Sequence, residues 1–201
     1  MQDAYVFDMG GVIKESFDLE KFYSKIDSKK AFNDFKKYWD ENILIAEIGN
    51  ISSEEFLHRI LEYSLSSKDI AESKKIYGEC TGNLYNDAKN VLYSIKEKNK
   101  RIYLLSNLKE IDFEFFKKKI DINIFEELFL SYKLGCMKND IKIFEILVDK
   151  LNIKPENIYF FDDKKENIYN ANKVGINAYL VDGMNIKLKI EELKEKGIVN
   201  I

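Results

Sequence analysis

The sequence has one histidine, one proline, one tryptophan and two cysteines among its 201 residues. With His58 the only imidazole, metal sites built on several histidines are excluded. A His-dependent triad would have to use a residue with no Ser or Cys motif around it. Cys80 and Cys136 cannot complete a zinc site alone and are too few for a disulfide framework, so reduced thiols in the core or a loop are expected. Fully apolar runs such as Ile43-Leu44-Ile45-Ala46 and Ile158-Tyr159-Phe160-Phe161 last four residues, far short of the roughly 20 of a membrane span. Neither sign of charge dominates: 32 basic side chains against 35 acidic ones leave −3, which gives no footprint for duplex nucleic acid. The first strand-like run begins at Ala4, which leaves no room for a signal peptide, so a cytoplasmic location is expected. What the chain does have is 45% hydrophobic and 13% aromatic residues, enough for a real core without staples. Catalysis, if any, falls to carboxylates.

Five short runs read as buried strands: residues 4–9, 101–106, 128–132, 158–162 and 178–181. The last four are separated by helix-like segments. Residues 87–98 put Val91, Leu92 and Ile95 on one face, residues 140–151 do the same with Phe144, Leu147, Val148 and Leu151, and residues 164–174 stop at Gly175. The lone Pro155 marks the turn between the second of these helices and the strand after it. Such alternation predicts an α/β fold with a parallel sheet covered by helices.

Between the first and second strands the rhythm breaks. Leu19, Phe22, Tyr23 and Ile26 form one helical stripe, and Phe32, Phe35, Tyr38 and Trp39 another. Gly49 reads as a helix stop, and Ser52 with Glu55 has capping-box spacing before Phe56, Leu57, Ile60 and Leu61. Residues 16–86 are therefore read as a helical insert over a core made of residues 1–15 and 87–201. Its aromatic stripes are expected to be its own core.

In a parallel sheet, ligands gather beyond the carboxyl ends of the strands. There the first strand ends in Asp8, the second in Ser106-Asn107 and the fourth in Asp162-Asp163, while the loop after the third carries Lys138. Carboxylates suit a hard cation such as Mg²⁺, and a Ser, an Asn and a Lys beside it suit a phosphoryl group. Each residue also has an ordinary role open to it. Asp8 can open a turn at Gly10-Gly11, Asp163 and Glu166 have helix-cap spacing, Ser106 or Asn107 can cap the next helix, and Lys138 can be one more solvated lysine. Their meeting at one sheet edge favours a phosphate-handling site.

Phe7-Asp8-Met9-Gly10-Gly11-Val12-Ile13, Leu105-Ser106-Asn107, Lys138, and Phe160-Phe161-Asp162-Asp163 with Asn167 resemble the four ordered motifs of the haloacid dehalogenase (HAD) superfamily. The insert falls where that family carries its C1-type cap. Trp39, Gly49-Asn50-Ile51-Ser52 and Phe56 are similar to cap sequences of its small bacterial sugar-phosphate phosphatases. The resemblance covers nearly the whole chain and implies a Rossmann-like core with an inserted all-helical cap. It implies a Mg²⁺-dependent phosphatase of a small phosphorylated metabolite. By residue, it makes Asp8 the nucleophile, through an aspartyl-phosphate, and a metal ligand with the Gly10 carbonyl, Asp163 and Asp162. Lys138, Ser106 and Asn107 hold the phosphoryl oxygens.

One departure stands out. The family usually has a second Asp two residues after the nucleophile, as general acid and base; here that residue is Gly10. Such help is worth about 10²–10⁴-fold. The expectation is either a substrate whose leaving group needs little protonation, or a catalytically impaired protein that binds phosphorylated ligands or a protein partner. An acid supplied by the cap or by the substrate is a further route. A phosphomutase is poorly served by Gly10, a 2-haloacid dehalogenase leaves the Asp162-Asp163 pair unexplained, and a receiver domain needs no such insert. Trp39, Glu47, Asn50 and His58 are the cap residues nearest its turns, each with packing or exposure as its simpler reading.

Overall fold

The computed structural model describes residues 3–25, 29–64 and 70–201. Strand β1 (Ala4–Phe7) is followed by four helices, α1 (Leu19–Tyr23), α2 (Lys29–Glu47), α3 (Ser53–Ser64) and α4 (Ile70–Glu79). The chain then alternates: α5 (Asn86–Glu97), β2 (Arg101–Ser106), α6 (Glu110–Phe116), β3 (Glu127–Leu130), α7 (Ser131–Leu134), α8 (Lys142–Leu151), β4 (Ile158–Asp162), α9 (Lys165–Lys173), β5 (Asn177–Leu180) and α10 (Ile186–Glu195). The five strands form one parallel sheet in the order β3-β2-β1-β4-β5. This is the parallel α/β architecture that the alternation predicted, with the Rossmann-like core that the resemblance implied.

The period of two in β1 sorts its side chains between two helix layers. Tyr5 and Phe7 join Ile102, Leu104, α5, α6 and α10 on one face, while Ala4 and Val6 join Leu105, Phe129, Phe160, α8 and α9 on the other. Across β1 and β4 the paired rings Phe7 and Phe161 stack at 4.9 Å, and Phe161 stacks in turn on Tyr179 of β5 at 5.7 Å. Such cross-strand aromatic pairs fix register on a buried face.

A third core lies under α1–α4. Phe22, Phe35, Trp39, Phe56, Leu57 and Tyr77 pack together there, with Ile111 of α6 reaching in from the sheet side. The expected stripes do form this core. Ile26 lies outside the described residues, as do the side chains of Ile60 and Leu61. The predicted restart after Gly49 is also present: the Ser52 hydroxyl accepts a hydrogen bond from the Glu55 N–H at 3.1 Å. Gly49 itself has φ +81°, and a Cβ there would stand 2.1 Å from the Tyr132 carbonyl oxygen, so the end of α2 is pressed onto the β3–α7 corner.

Three strands differ from expectation at their ends, β5 by a single residue, since it runs over Asn177–Leu180 and not 178–181. β1 stops at Phe7 instead of Met9, because the Met9 carbonyl accepts the Ile13 and Lys14 N–H groups and starts a turn. The third strand runs over Glu127–Leu130, not residues 128–132, because Ser131–Leu134 wind one helical turn closed by Gly135 N–H on the Ser131 carbonyl. Cys80 and Cys136 are buried free thiols. Pro155 opens the short turn Pro155–Asn157 that delivers the chain into β4.

Candidate active site

Asp8 is the first residue past β1, its N–H bonded to the Phe161 carbonyl at 2.9 Å, so the sheet itself aims it at the carboxyl edge. Its carboxylate Oδ1 accepts from the Ser106 hydroxyl at 2.8 Å and from Lys138 Nζ at 2.7 Å. Oδ2 accepts no hydrogen bond among the described residues. Lys138 also donates to Asp162 Oδ2 at 2.6 Å. It is only 1% exposed, which removes the solvated-lysine reading. Burial alone would pull its ammonium down, but Asp8 and Asp162 together hold it above the ordinary lysine range. Burial likewise pushes the Asp8 carboxyl up, to about 6, against the opposing pull of Lys138.

The loop that carries Lys138 is pinned by side-chain amides. Asn107 Oδ1 accepts the Lys138 N–H at 3.0 Å, and Asn170 Nδ2 donates to the Lys138 and Asn139 carbonyls. Asn107 thus holds the lysine's backbone and does not cap a helix; α6 begins after Lys109. Nor is Asp163 a cap, since α9 begins after Lys164 with no side-chain cap bond. Asp162 takes the local donors instead, accepting Lys164 N–H at 2.8 Å and Asn167 Nδ2 at 2.9 Å. That leaves Asp163 Oδ1 buried with no hydrogen-bond partner.

Carboxylate oxygens of Asp8, Asp162 and Asp163 lie within 4.8 Å of one another. The Gly10 carbonyl accepts no hydrogen bond among the described residues. Gly11, at φ +79°, lets the chain pass so close that a Cβ there would be 2.3 Å from Asp163 Oδ2. An orphaned buried carboxylate oxygen, an unused carbonyl and an all-oxygen donor set fit a hard divalent cation. All the site residues named from sequence therefore stand at one edge of the sheet.

The sequence did not reveal a second polar layer beneath the insert. Lys109 Nζ pairs with Asp112 Oδ2 at 2.8 Å, Tyr77 donates its hydroxyl to Asp112 Oδ1 at 2.6 Å, and the Lys109 ammonium lies over the rings of Trp39 and Phe56. Trp39 is thus core that also backs a cation. Lys14 is 4% exposed and donates to the Glu15 and Thr81 carbonyls at 2.7 and 2.6 Å. The only sequence signals for this layer were a lysine directly after Val12-Ile13 and the Lys109–Asp112 spacing. Lys14, Lys109, Asp112 and Glu47 line one cavity of about 160 Å³ with Asp8, Gly10 and Asp163. Of the other cap candidates, Asn50 and His58 are exposed.

Lys14 gives a pH-dependent stability with a definite sign. Burial is the main influence and pulls its pKa down to about 8, with Asp112 opposing. Between that value and the ordinary 10.5 the unfolded chain binds the proton more tightly, so this group's contribution to stability rises with pH. Denaturant unfolding at pH 8 and pH 10 is expected to show the wild type gaining about 2 kcal/mol relative to Lys14→Met. An equal pH response in the two proteins would contradict it.

A parallel sheet with a buried Asp–Lys–Asp cluster at its carboxyl edge has the layout of an α/β enzyme. The profile of the haloacid dehalogenase-like hydrolases matches residues 2–175, and the chain belongs to that family. A sesquiterpene phosphatase of Aspergillus oryzae is 24% identical over 200 residues, covering 94% of this chain and 95% of its own. A D-ribitol-5-phosphate phosphatase of Bacteroides thetaiotaomicron is 26% identical over 186 residues, covering 87% and 89%. The fold is shared with a HAD-family enzyme of the same bacterium, solved as a magnesium complex, at TM-score 0.81 and 23% identity over 94% of this chain and 98% of that one.

Proposed function

We propose that the protein is a Mg²⁺-dependent phosphatase of a small phosphorylated metabolite, working through an aspartyl-phosphate on Asp8. The observation that carries this reading is Asp8 itself: a buried carboxylate with one oxygen fixed by Ser106 and Lys138 and the other without a hydrogen bond among the described residues. Such a group is oriented for attack and kept from rotating. Asp8, Asp163 and the Gly10 carbonyl would hold Mg²⁺, with Asp162 as a further ligand directly or through water; the ion would offset the repulsion between an anionic nucleophile and an anionic substrate. Ser106, Asn107 and Lys138 are assigned to the phosphoryl oxygens, where the ammonium absorbs charge as the phosphoryl group moves.

Residues 16–86 are assigned as a cap that roofs the cavity and excludes water. Tyr77, Trp39 and Phe56 place its aromatic core over Lys109, at the cavity wall. The relatives named as phosphatases, one of them for a sugar-alcohol phosphate, support a metabolite of that kind. Among the described residues no helix is long and apolar enough to cross a membrane, and we assign the activity to the cytoplasm. Gly10 supports a second reading, a protein that binds phosphorylated ligands without turning them over.

Phosphate release from p-nitrophenyl phosphate and from sugar and acyl phosphates separates the two. The expected result is release that requires Mg²⁺ and stops with chelator. Binding of Mg²⁺ and of a phosphorylated sugar with no release from any substrate would establish the second reading instead.

A further inference from the structure

We infer that Glu47, at the end of α2, is the general acid and base that Gly10 does not supply; this rests on the phosphatase reading above. Four carboxyl groups line the cavity: Asp8, Glu47, Asp112 and Asp163. Asp8 and Asp163 belong to the nucleophile and the cation. Asp112 is committed to Lys109 and Tyr77, and those partners hold its carboxyl below the ordinary range although burial opposes them. The Glu47 carboxyl accepts no hydrogen bond and makes no ion pair among the described residues. Of the four lysines that also line it, Lys138 is locked between two aspartates, Lys109 is paired with Asp112, and Lys14 has spent two of its three donors on carbonyls. Glu47 is the remaining carboxyl with a proton to give.

Its backbone is held where this role needs it. The Ser131 hydroxyl accepts the Leu108 N–H at 2.9 Å and donates to the Glu47 carbonyl at 2.6 Å, tying the end of α2 to the residue next to Asn107. Two positions later Gly49 lies against Tyr132. Burial, the largest influence, keeps the Glu47 carboxyl protonated to higher pH than an ordinary glutamate, with Lys109 opposing and Asp112 assisting. A raised carboxyl pKa is what a general acid near neutrality requires.

The proton balance closes. As a carboxylate oxygen of Asp8 bonds to phosphorus and the phosphorus–oxygen bond to the leaving group breaks, the Glu47 acid protonates the departing oxygen and becomes a carboxylate. Water then attacks the aspartyl-phosphate, Glu47 takes its proton, and phosphate and both starting side chains are regenerated.

The test is the dependence on leaving group, read as kcat/KM because that ratio reports phosphoryl transfer to Asp8 and not the later hydrolysis. A sugar phosphate releases a poor alkoxide and needs the proton; p-nitrophenolate leaves with far less help. For Glu47→Gln the expected loss is about 100-fold or more on the sugar phosphate, and at least about tenfold smaller on p-nitrophenyl phosphate. A Cβ at Gly10 meets nothing within 4 Å, so Gly10→Asp can be built. Adding it to Glu47→Gln is expected to restore the sugar-phosphate rate about tenfold or more. Equal losses on the two substrates, or none, would overturn the role of Glu47 while leaving the phosphatase reading intact. No release by the wild type from either substrate would overturn both.

Discussion

Asp8→Asn is expected to lower phosphate release by about 10⁴–10⁶-fold while leaving the fold in place. The amide matches the carboxylate in size and can still accept from Ser106 and Lys138, so the hydrogen bonds at 2.8 and 2.7 Å need not be vacated. What it cannot do is attack phosphorus, since an amide oxygen carries no full negative charge. Stability should change little, because the carboxylate is buried beside a second one, Asp162, and both share a single ammonium. Phosphate release and denaturant unfolding measured on the same preparation check both halves. Residual activity within about tenfold of wild type would remove Asp8 from the nucleophile's place.

Lys138→Met is expected to act on stability as strongly as on rate. Its ammonium is the counter-charge for two carboxylates that are 5% and 0% exposed. Removing one partner of a buried pair costs about 3–5 kcal/mol, because a charge is left without compensation. Here two are left. Phosphate release should fall about 10²–10³-fold, the usual loss when one donor to a developing oxyanion is deleted. Mg²⁺ should raise the variant's unfolding midpoint more than the wild type's, since a cation held by Asp8 and Asp163, as proposed, would become the remaining positive charge of the cluster. A loss of stability below about 1 kcal/mol, or an equal response to Mg²⁺, would contradict this account.

The sheet was legible because each strand is short, apolar and followed by a helix with a one-sided stripe; Val91, Leu92 and Ile95 on α5 are buried as their spacing implied. Asp8, Ser106 and Asp162 were legible for a related reason: in a parallel sheet the residues at a strand's carboxyl end have little choice of direction, whereas Lys138, in the loop beyond α7, was legible through its place among the ordered motifs. The layer under the insert was not. Asp112 meets Tyr77 across 35 residues, and Lys14 meets Thr81 across 67, so neither pair leaves a local pattern. Lys109 and Asp112 are only three residues apart, but that spacing reads equally well as an exposed helix pair; burial is what makes it matter. The end of β3 was misplaced for a reason that is only partly local. Tyr132 is as good a strand residue as any, and the turn at Ser131–Leu134 is set by Gly135 together with the bonds that Ser131 makes to Leu108 and Glu47.

The position of β1 at the middle of the sheet has a consequence for how the molecule comes into being. Its two neighbours are β2 and β4, and the Ser106–Asp8 hydrogen bond closes a stretch of 98 residues. Contacts so distant in sequence are slow to form, because the chain between them must be ordered before they return any free energy. On the ribosome, Asp8 is made long before Lys138 and Asp163, and β1 waits through the helices α1–α5 for its first partner. A nascent chain therefore lacks the Ser106 partner of Asp8 until β2 is made, and Lys138 and Phe161 until later still, so the cluster at the sheet edge is complete only when synthesis of the core is nearly done.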